Sequence, residues 1–352
     1  MKVIIFHIVM LLVSGCVSYG PSTIRRDRID YNTAISDSWK SQMLTNIVRV
    51  RYGDTPIFLN VDSVVTSYEM SGKGTANTGW AFPPFSTNTS LGGEVYSATR
   101  PTITYSPMIG EKFVRSMMTP IPPYVVLSLV QSGYPIDTVF NLLAKSANGI
   151  KNRFGVGAVR NPADPEFYSL LERMRRMQQS GAVTFKMEKS GEGESVFLSL
   201  SEKSGKEIEA DGAEVKKILG LDPRAHEYKV VHGHSPSNNK EIAVLSRSMV
   251  QVLADLASCV EIPETGIAEK RAYSSLKIAD NENPLAAQSL KIYNSPQLPD
   301  DAYVAVLYDH TWFWIDNKDL LSKSTFSFLM FVFSVLETEG KHGLPVLTIP
   351  TR

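Results

Sequence analysis

The chain of 352 residues has almost no cysteine, no net charge and no recognisable nucleotide or nucleophile motif. Its two cysteines, Cys16 and Cys259, are too few for a disulfide framework, so stability must come from packing. Lys and Arg total 36 and Asp and Glu total 36, which removes any electrostatic reason to expect nucleic acid or an acidic membrane surface as partner. Gly155 and Gly157 do not complete G-x-G-x-x-G, because Arg160 occupies the third glycine position. There is no Walker lysine, no G-x-S-x-G elbow and no internal repeat. The apolar share, 43%, is ordinary and sufficient for a real core.

The informative end is the first one. Lys2 precedes an apolar stretch from Val3 to Val13, interrupted only by His7. That stretch has the length of a signal-peptide core and falls well short of the ~20 residues a membrane-spanning helix needs. It ends in Val13-Ser14-Gly15-Cys16, which resembles the lipobox of bacterial lipoprotein precursors. The resemblance implies cleavage before Cys16, diacylglycerol on its thiol and a fatty acyl group such as palmitate on the new amino group. Residues 1–15 are then a signal peptide and 16–30 a lipidated tether. Each buried methylene adds about 0.8 kcal/mol, so two or three chains make a firm membrane anchor. Val17 follows the cysteine where Asp would favour inner-membrane retention, which points to the outer membrane, facing the periplasm or the cell surface. Cleavage removes Lys2, and with Cys16 acylated only Cys259 remains as a thiol.

Patterning predicts an α+β fold, antiparallel hairpins mixed with helices and without a regular βαβ repeat. Ile35, Trp39, Met43 and Ile47 lie on one helical face, and Gly53 closes that helix with Arg49 and Arg51 in its last turn. Strands follow at Val64–Met70 and Glu94–Tyr105. Residues 110–148 read as short helices, with Ala147 still in helical spacing. Asp164-Pro165 starts a helix that ends at Gly181, and strands at Ala182–Glu188 and Ser195–Ser201 form a hairpin. Helices are expected at Ala213–Leu219, Arg247–Val260 and Ser322–Leu336. Tyr303–Tyr308 and Thr311–Ile315 flank Asp309-His310 as a second hairpin. Further strands are expected near Glu227–Val231, Ser275–Ile278, Ser289–Tyr293 and Pro345–Ile349. The expected division is a helix-rich region, 31–160, and a C-terminal α+β domain, 161–352.

Residues 71–93 are rich in Gly, Ser, Thr and Asn and carry Trp80, Phe82 and Phe85 around Pro83-Pro84. Three readings stand, in this order: a disordered surface loop, a partner-binding loop anchored by those aromatics, and a hairpin of an oligomeric outer-membrane pore. The last is disfavoured because Lys73 and several Ser and Asn would lie where a lipid face should be.

Several pieces are similar to a family of Gram-negative lipoproteins without an assigned activity. They include Asp30-Tyr31-Asn32, Arg51-Tyr52-Gly53-Asp54, Arg100–Tyr105, Ser246-Arg247-Ser248 and Trp312–Asp316 leading into Ser322–Thr325. The resemblance spans most of the mature chain and brings no cofactor or catalytic residue.

The remaining candidates for chemistry are weak. His232-Gly233-His234 supplies two imidazoles, but zinc needs three or four ligands, and no Cys or Glu has suitable local spacing. Cys259 with His310 could be nucleophile and base, yet an apolar helical setting suits a buried structural thiol. Asp309-His310, with Asp316, is better read as turn chemistry. No catalytic residue, metal or cofactor is assigned. The leading reading is a non-enzymatic assembly, scaffold or accessory lipoprotein of the cell envelope, in contact with a membrane through its lipid and with envelope proteins. An envelope hydrolase with a dispersed site and a pore subunit are the alternatives.

Mass spectrometry of the protein from membranes is expected to find a mature start at Cys16 with acyl groups on that residue. A start elsewhere, or an unmodified thiol, would refute the anchor.

Overall fold

The computed structural model of the chain describes residues 19–80, 87–156, 159–190, 193–201, 205–272 and 290–337. Among these, helices and mostly antiparallel sheets occur without a regular βαβ rhythm, so the class is α+β. They form two compact units, Ile57–Met108 and the chain on both sides of it. The boundary expected at residue 160 is not where the chain divides, because strands from before and after it share one sheet. The strands expected at Ser275–Ile278 and Pro345–Ile349 lie outside the described residues.

The larger unit opens with α1, Tyr19–Tyr52. Most of the segment expected as a tether is therefore already helical. Only the second half of α1 carries buried apolar residues, Met43, Leu44, Ile47 and Val48, while Ile24 and Ile29 are exposed. The buried stripe packs on α7 (Met249–Ala257) and on β12 (Ala302–Tyr308). Gly53 has a positive φ of 83° and ends the helix, and the Asp54 amide donates back to the Arg49 carbonyl at 2.8 Å.

The core is a six-stranded sheet in the order β4-β3-β10-β9-β8-β7. Its strands are β3 (Ala144–Ala147), β4 (Ile150–Lys151), β7 (Val183–Ser190), β8 (Gly193–Leu200), β9 (Glu227–His232) and β10 (Glu241–Ser246). Only β9 and β10 run parallel. Along β8 every second residue is buried, Val196, Leu198 and Leu200, the period expected of a sheet with one covered face. That face packs against α3 (Pro123–Gln131), α4 (Ile136–Leu143) and α5 (Pro165–Gln179) through Leu127, Phe140, Leu170 and Met174.

The helix expected to continue to Ala147 stops at Leu143, and the chain enters β3. The cause is the turn Asn148-Gly149, where both residues have positive φ, 46° and 84°, as a two-residue hairpin turn requires. The Asn148 side chain fixes the turn by donating to Leu219 O at 2.7 Å and accepting from the Ala243 amide at 2.6 Å.

The hairpin β12–β13 (β13 is Thr311–Asp316) forms where the sequence predicts it, and β11 (Tyr293–Ser295) adds a third strand. Tyr52 packs on Tyr308 and Phe313, with ring centroids 5.2 and 5.9 Å apart. The final described helix, α9 (Leu320–Glu337), buries Phe326, Leu329 and Val332.

Between α5 and α6 (Lys206–Ile218), the buried Asp211 accepts from Arg173 at 2.8 Å and from Arg176 at 2.7 Å through two nitrogens. The bonds from Arg176 hold its carboxyl below the usual carboxylate range. A carboxyl lowered in the folded state stabilises above its unfolded pKa, and that stability is lost as pH falls through the folded value. Asp211→Ala is therefore expected to cost about 1–2 kcal/mol at pH 7, with solvent around the arginines keeping it modest, and almost nothing at strongly acid pH. Urea unfolding of both proteins at the two pH values checks this.

Candidate functional site

The histidines His232 and His234 are exposed, at the end of β9 and in the following loop. His234 Nδ1 lies 3.4 Å from the Ser146 hydroxyl. Among the described residues no group of three or more His, Cys, Asp or Glu is placed to hold a metal ion.

Asp309 and His310 occupy the two central positions of the β12–β13 turn, both at positive φ, 45° and 63°. Both carboxylate oxygens of Asp309 accept from Arg271 Nη1, at 2.8 and 2.9 Å, which ties the turn to the segment at Arg271. Asp316 accepts from the Lys318 amide at 2.8 Å and shapes the next turn. Cys259 is buried, whereas His310 is exposed at a hairpin tip, so the structure does not join them as nucleophile and base. The nearby Tyr308 phenol donates to Asp54, and burial together with that bond pushes its pKa up to about 12.

A cluster that sequence reading missed surrounds Arg247, whose side chain has no exposure. Its Nη1 donates to Asp255 Oδ2 and to Leu142 O, each at 3.1 Å, and its Nη2 donates to Arg153 O. The Phe154 ring lies 5.7 Å from the guanidinium carbon. Asp255 Oδ1 accepts from the Gly155 amide at 2.8 Å. Gly155 belongs to the short strand β5 (Phe154–Val156), and a Cβ there would come within 2.7 Å of the Ser258 hydroxyl. That glycine is thus required by close packing on the end of α7, not by a phosphate. Its only legible sign was an Arg and an Asp eight residues apart around an apolar helix start, which ordinarily means a solvated pair. The cluster is a structural clamp between the chain at 142–155 and α7.

The candidate site that remains is the smaller unit. β1 (Leu59–Trp80) and β2 (Thr87–Pro107) pair antiparallel along their whole length. The disordered or partner-binding loop expected at 71–93 is instead mostly ladder. Trp80 is the last residue of β1, paired with Thr87, while Phe82, Phe85 and Cys16 lie outside the described residues. After one bulge at Asp62, 18 pairs run unbroken from Ser63–Thr104 to Trp80–Thr87.

This register also corrects the argument about Lys73. Directly paired residues share a face, and faces alternate along each strand. Glu69, Lys73, Glu94 and Arg100 all fall on one register face, which carries every charge of those 18 pairs. The face of Val64, Thr66, Tyr68 and Met70 carries none. Lys73 is therefore not on the face where it was expected to interrupt an apolar surface. Glycines at 72, 74, 92 and 93 lie near the middle of the ladder, where they weaken an isolated hairpin in water.

Asp255→Ala is expected to destabilise the protein by about 3–5 kcal/mol, because it leaves a buried guanidinium without its carboxylate. Cys259→Ala is expected to cost only about 1 kcal/mol and to leave any activity of the protein, and its distribution between membrane and soluble fractions, unchanged. Denaturant unfolding and membrane fractionation of the two variants check both statements.

No protein-family model, no curated protein and no solved structure matches the chain.

Proposed function

We propose that the chain is a lipid-anchored cell-envelope protein with a non-enzymatic role in assembly or scaffolding, and that Ile57–Met108 is its working surface. The anchor rests on the lipobox-like Val13-Ser14-Gly15-Cys16, with the outer membrane as its place. The observation that carries the assembly role is the two-stranded hairpin. Its strands, 22 and 21 residues long, far exceed the usual five or six, and no third strand of the described residues pairs with them. Two-stranded ribbons are marginal in water, and their outer edges present unpaired backbone groups. A ribbon of this length with glycines at its centre is suited to completion by something outside its own unit.

Arg247 and Asn152, both buried in the larger unit, have structural partners of their own. Arg247 is matched to Asp255, and the Asn152 side chain donates to three backbone carbonyls at 2.8–3.3 Å. They support a rigid body that carries the hairpin.

In cells treated with a cross-linker, wild type is expected in outer-membrane fractions as defined adducts, whether with envelope proteins or with its own copies. A Cys16→Ala form should leave the membrane fraction. A folded variant with 57–108 replaced by a short Gly-Ser linker should stay membrane-bound and lose the adducts. Unchanged adducts without the hairpin would overturn the assembly role.

A further inference from the structure

The charge-free register face of β1–β2 has the length and end markers of a membrane band. Tyr68 and Trp80 both lie on it, twelve residues apart on one strand. At about 3.3 Å per residue that is about 40 Å along the strand, and a barrel tilt of about 45° reduces it to about 28 Å across a bilayer. Outer-membrane barrels place aromatic girdles at both edges of an apolar band about 25 Å tall. Between the two aromatics this face holds Met70, Ala76, Leu91 and Val95 among glycine, serine and threonine, with neither charge nor proline. Pro101, which pairs with Thr66, lies beyond Tyr68 and outside the band.

The opposite face suits a water-filled interior. Lys73 pairs directly with Glu94, and Glu69 is diagonal to Arg100, so opposite charges adjoin along it. A docking surface for a soluble protein would gather its aromatics at the centre. On the charge-free face the centre is glycine and the two aromatics are at the ends, while Tyr96, paired with Ser71, lies on the charged face.

We infer that β1–β2 inserts into a lipid bilayer, with the Tyr68–Trp80 register face toward hydrocarbon, as one hairpin of a β-barrel closed by several copies of this chain. The inference rests on the envelope-anchored reading above and names the hairpin's surroundings. Closure by copies follows from backbone chemistry, since a lone ribbon in hydrocarbon would leave both outer edges without hydrogen bonds. The described residues of one chain supply two such strands, and the smallest barrels have about eight, so about four copies or more are needed. Among the described residues no helix is long and apolar enough to cross a membrane, which says nothing of a barrel.

The test uses the acylated full chain carrying Cys259→Ala, reconstituted in phosphatidylethanolamine–phosphatidylglycerol vesicles. Single cysteines at positions 70, 72 and 76, and at 71, 75 and 77, are labelled with an environment-sensitive fluorophore. Labels at 70, 72 and 76 should emit at shorter wavelength and be quenched by nitroxides on the acyl chains. Labels at 71, 75 and 77 should be quenched by iodide instead. Val95→Asp should lower the inserted fraction roughly tenfold or more, whereas Ser71→Asp should leave it near wild type. Cross-linking in the vesicles should give a ladder ending at one closed species. Iodide access at all six positions, or protection that needs added envelope protein, would overturn the inference. An acylated protein that still forms envelope adducts under either result would leave the assembly role standing, whereas loss of both acylation and adducts would remove that role too.

Discussion

The larger unit depends on one buried ion pair. A guanidinium without exposure is tolerable only if its charge is matched and hydrogen-bonded. Arg247 is paired with Asp255 and donates through its two Nη atoms to the carbonyls of Leu142 and Arg153, while its buried Nε has no partner. Because these partners come from the end of α4, the segment before β5 and the helix α7, the pair fixes where three parts of the chain meet. The neighbouring backbone follows from it: the Arg247 amide donates to Leu143 O at 2.7 Å and its carbonyl accepts from the Ile121 amide at 3.0 Å. Ser248 then caps α7 with a reciprocal Ser–Gln box, so helix and clamp start at the same place.

The hairpin obeys a different constraint. It has no such clamp, and its ladder holds glycine where a water-soluble ribbon would hold β-branched or aromatic residues. Its regular feature is charge sorted by register, with four charged residues on one face and none on the other. Sorting of that kind is meaningful only if the two faces meet different surroundings. The larger unit is held by a buried clamp, and the smaller is a ribbon with two unlike faces.

Much of the larger unit was legible because its signals are local. Alternation around Gly191-Glu192-Gly193 gave β7 and β8, Asp164-Pro165 gave the start of α5, and Gly53 gave the end of α1. Asp164 begins α5 without capping it by side chain; its carboxylate accepts instead from the Lys151 amide at 2.7 Å. The turn at Asn148-Gly149 is equally local, but the apolar spacing through Ile136, Val139 and Phe140 predicts a helix that runs past it. Strand β10 is not legible in the sequence for another reason. Its run Ile242-Ala243-Val244 is buried without alternation, so periodicity alone cannot separate it from a helix.

The sequence by itself determined the α+β class, the hairpins β7–β8 and β12–β13, the end of α1, the start of α5 and the lipobox-like start, since each depends on residues within a few positions of one another. Only the tertiary structure decided that Gly155 serves packing, that Arg247 is buried and paired, and that strands on both sides of residue 160 share a sheet. It alone set the register of β1 against β2, on which the placement of Lys73 depends. Composition made residues 71–93 look like a loop, because glycine and serine favour neither helix nor strand on their own. Pairing of the two strands, from Ser71 with Tyr96 to Trp80 with Thr87, supplied the order that local preference could not.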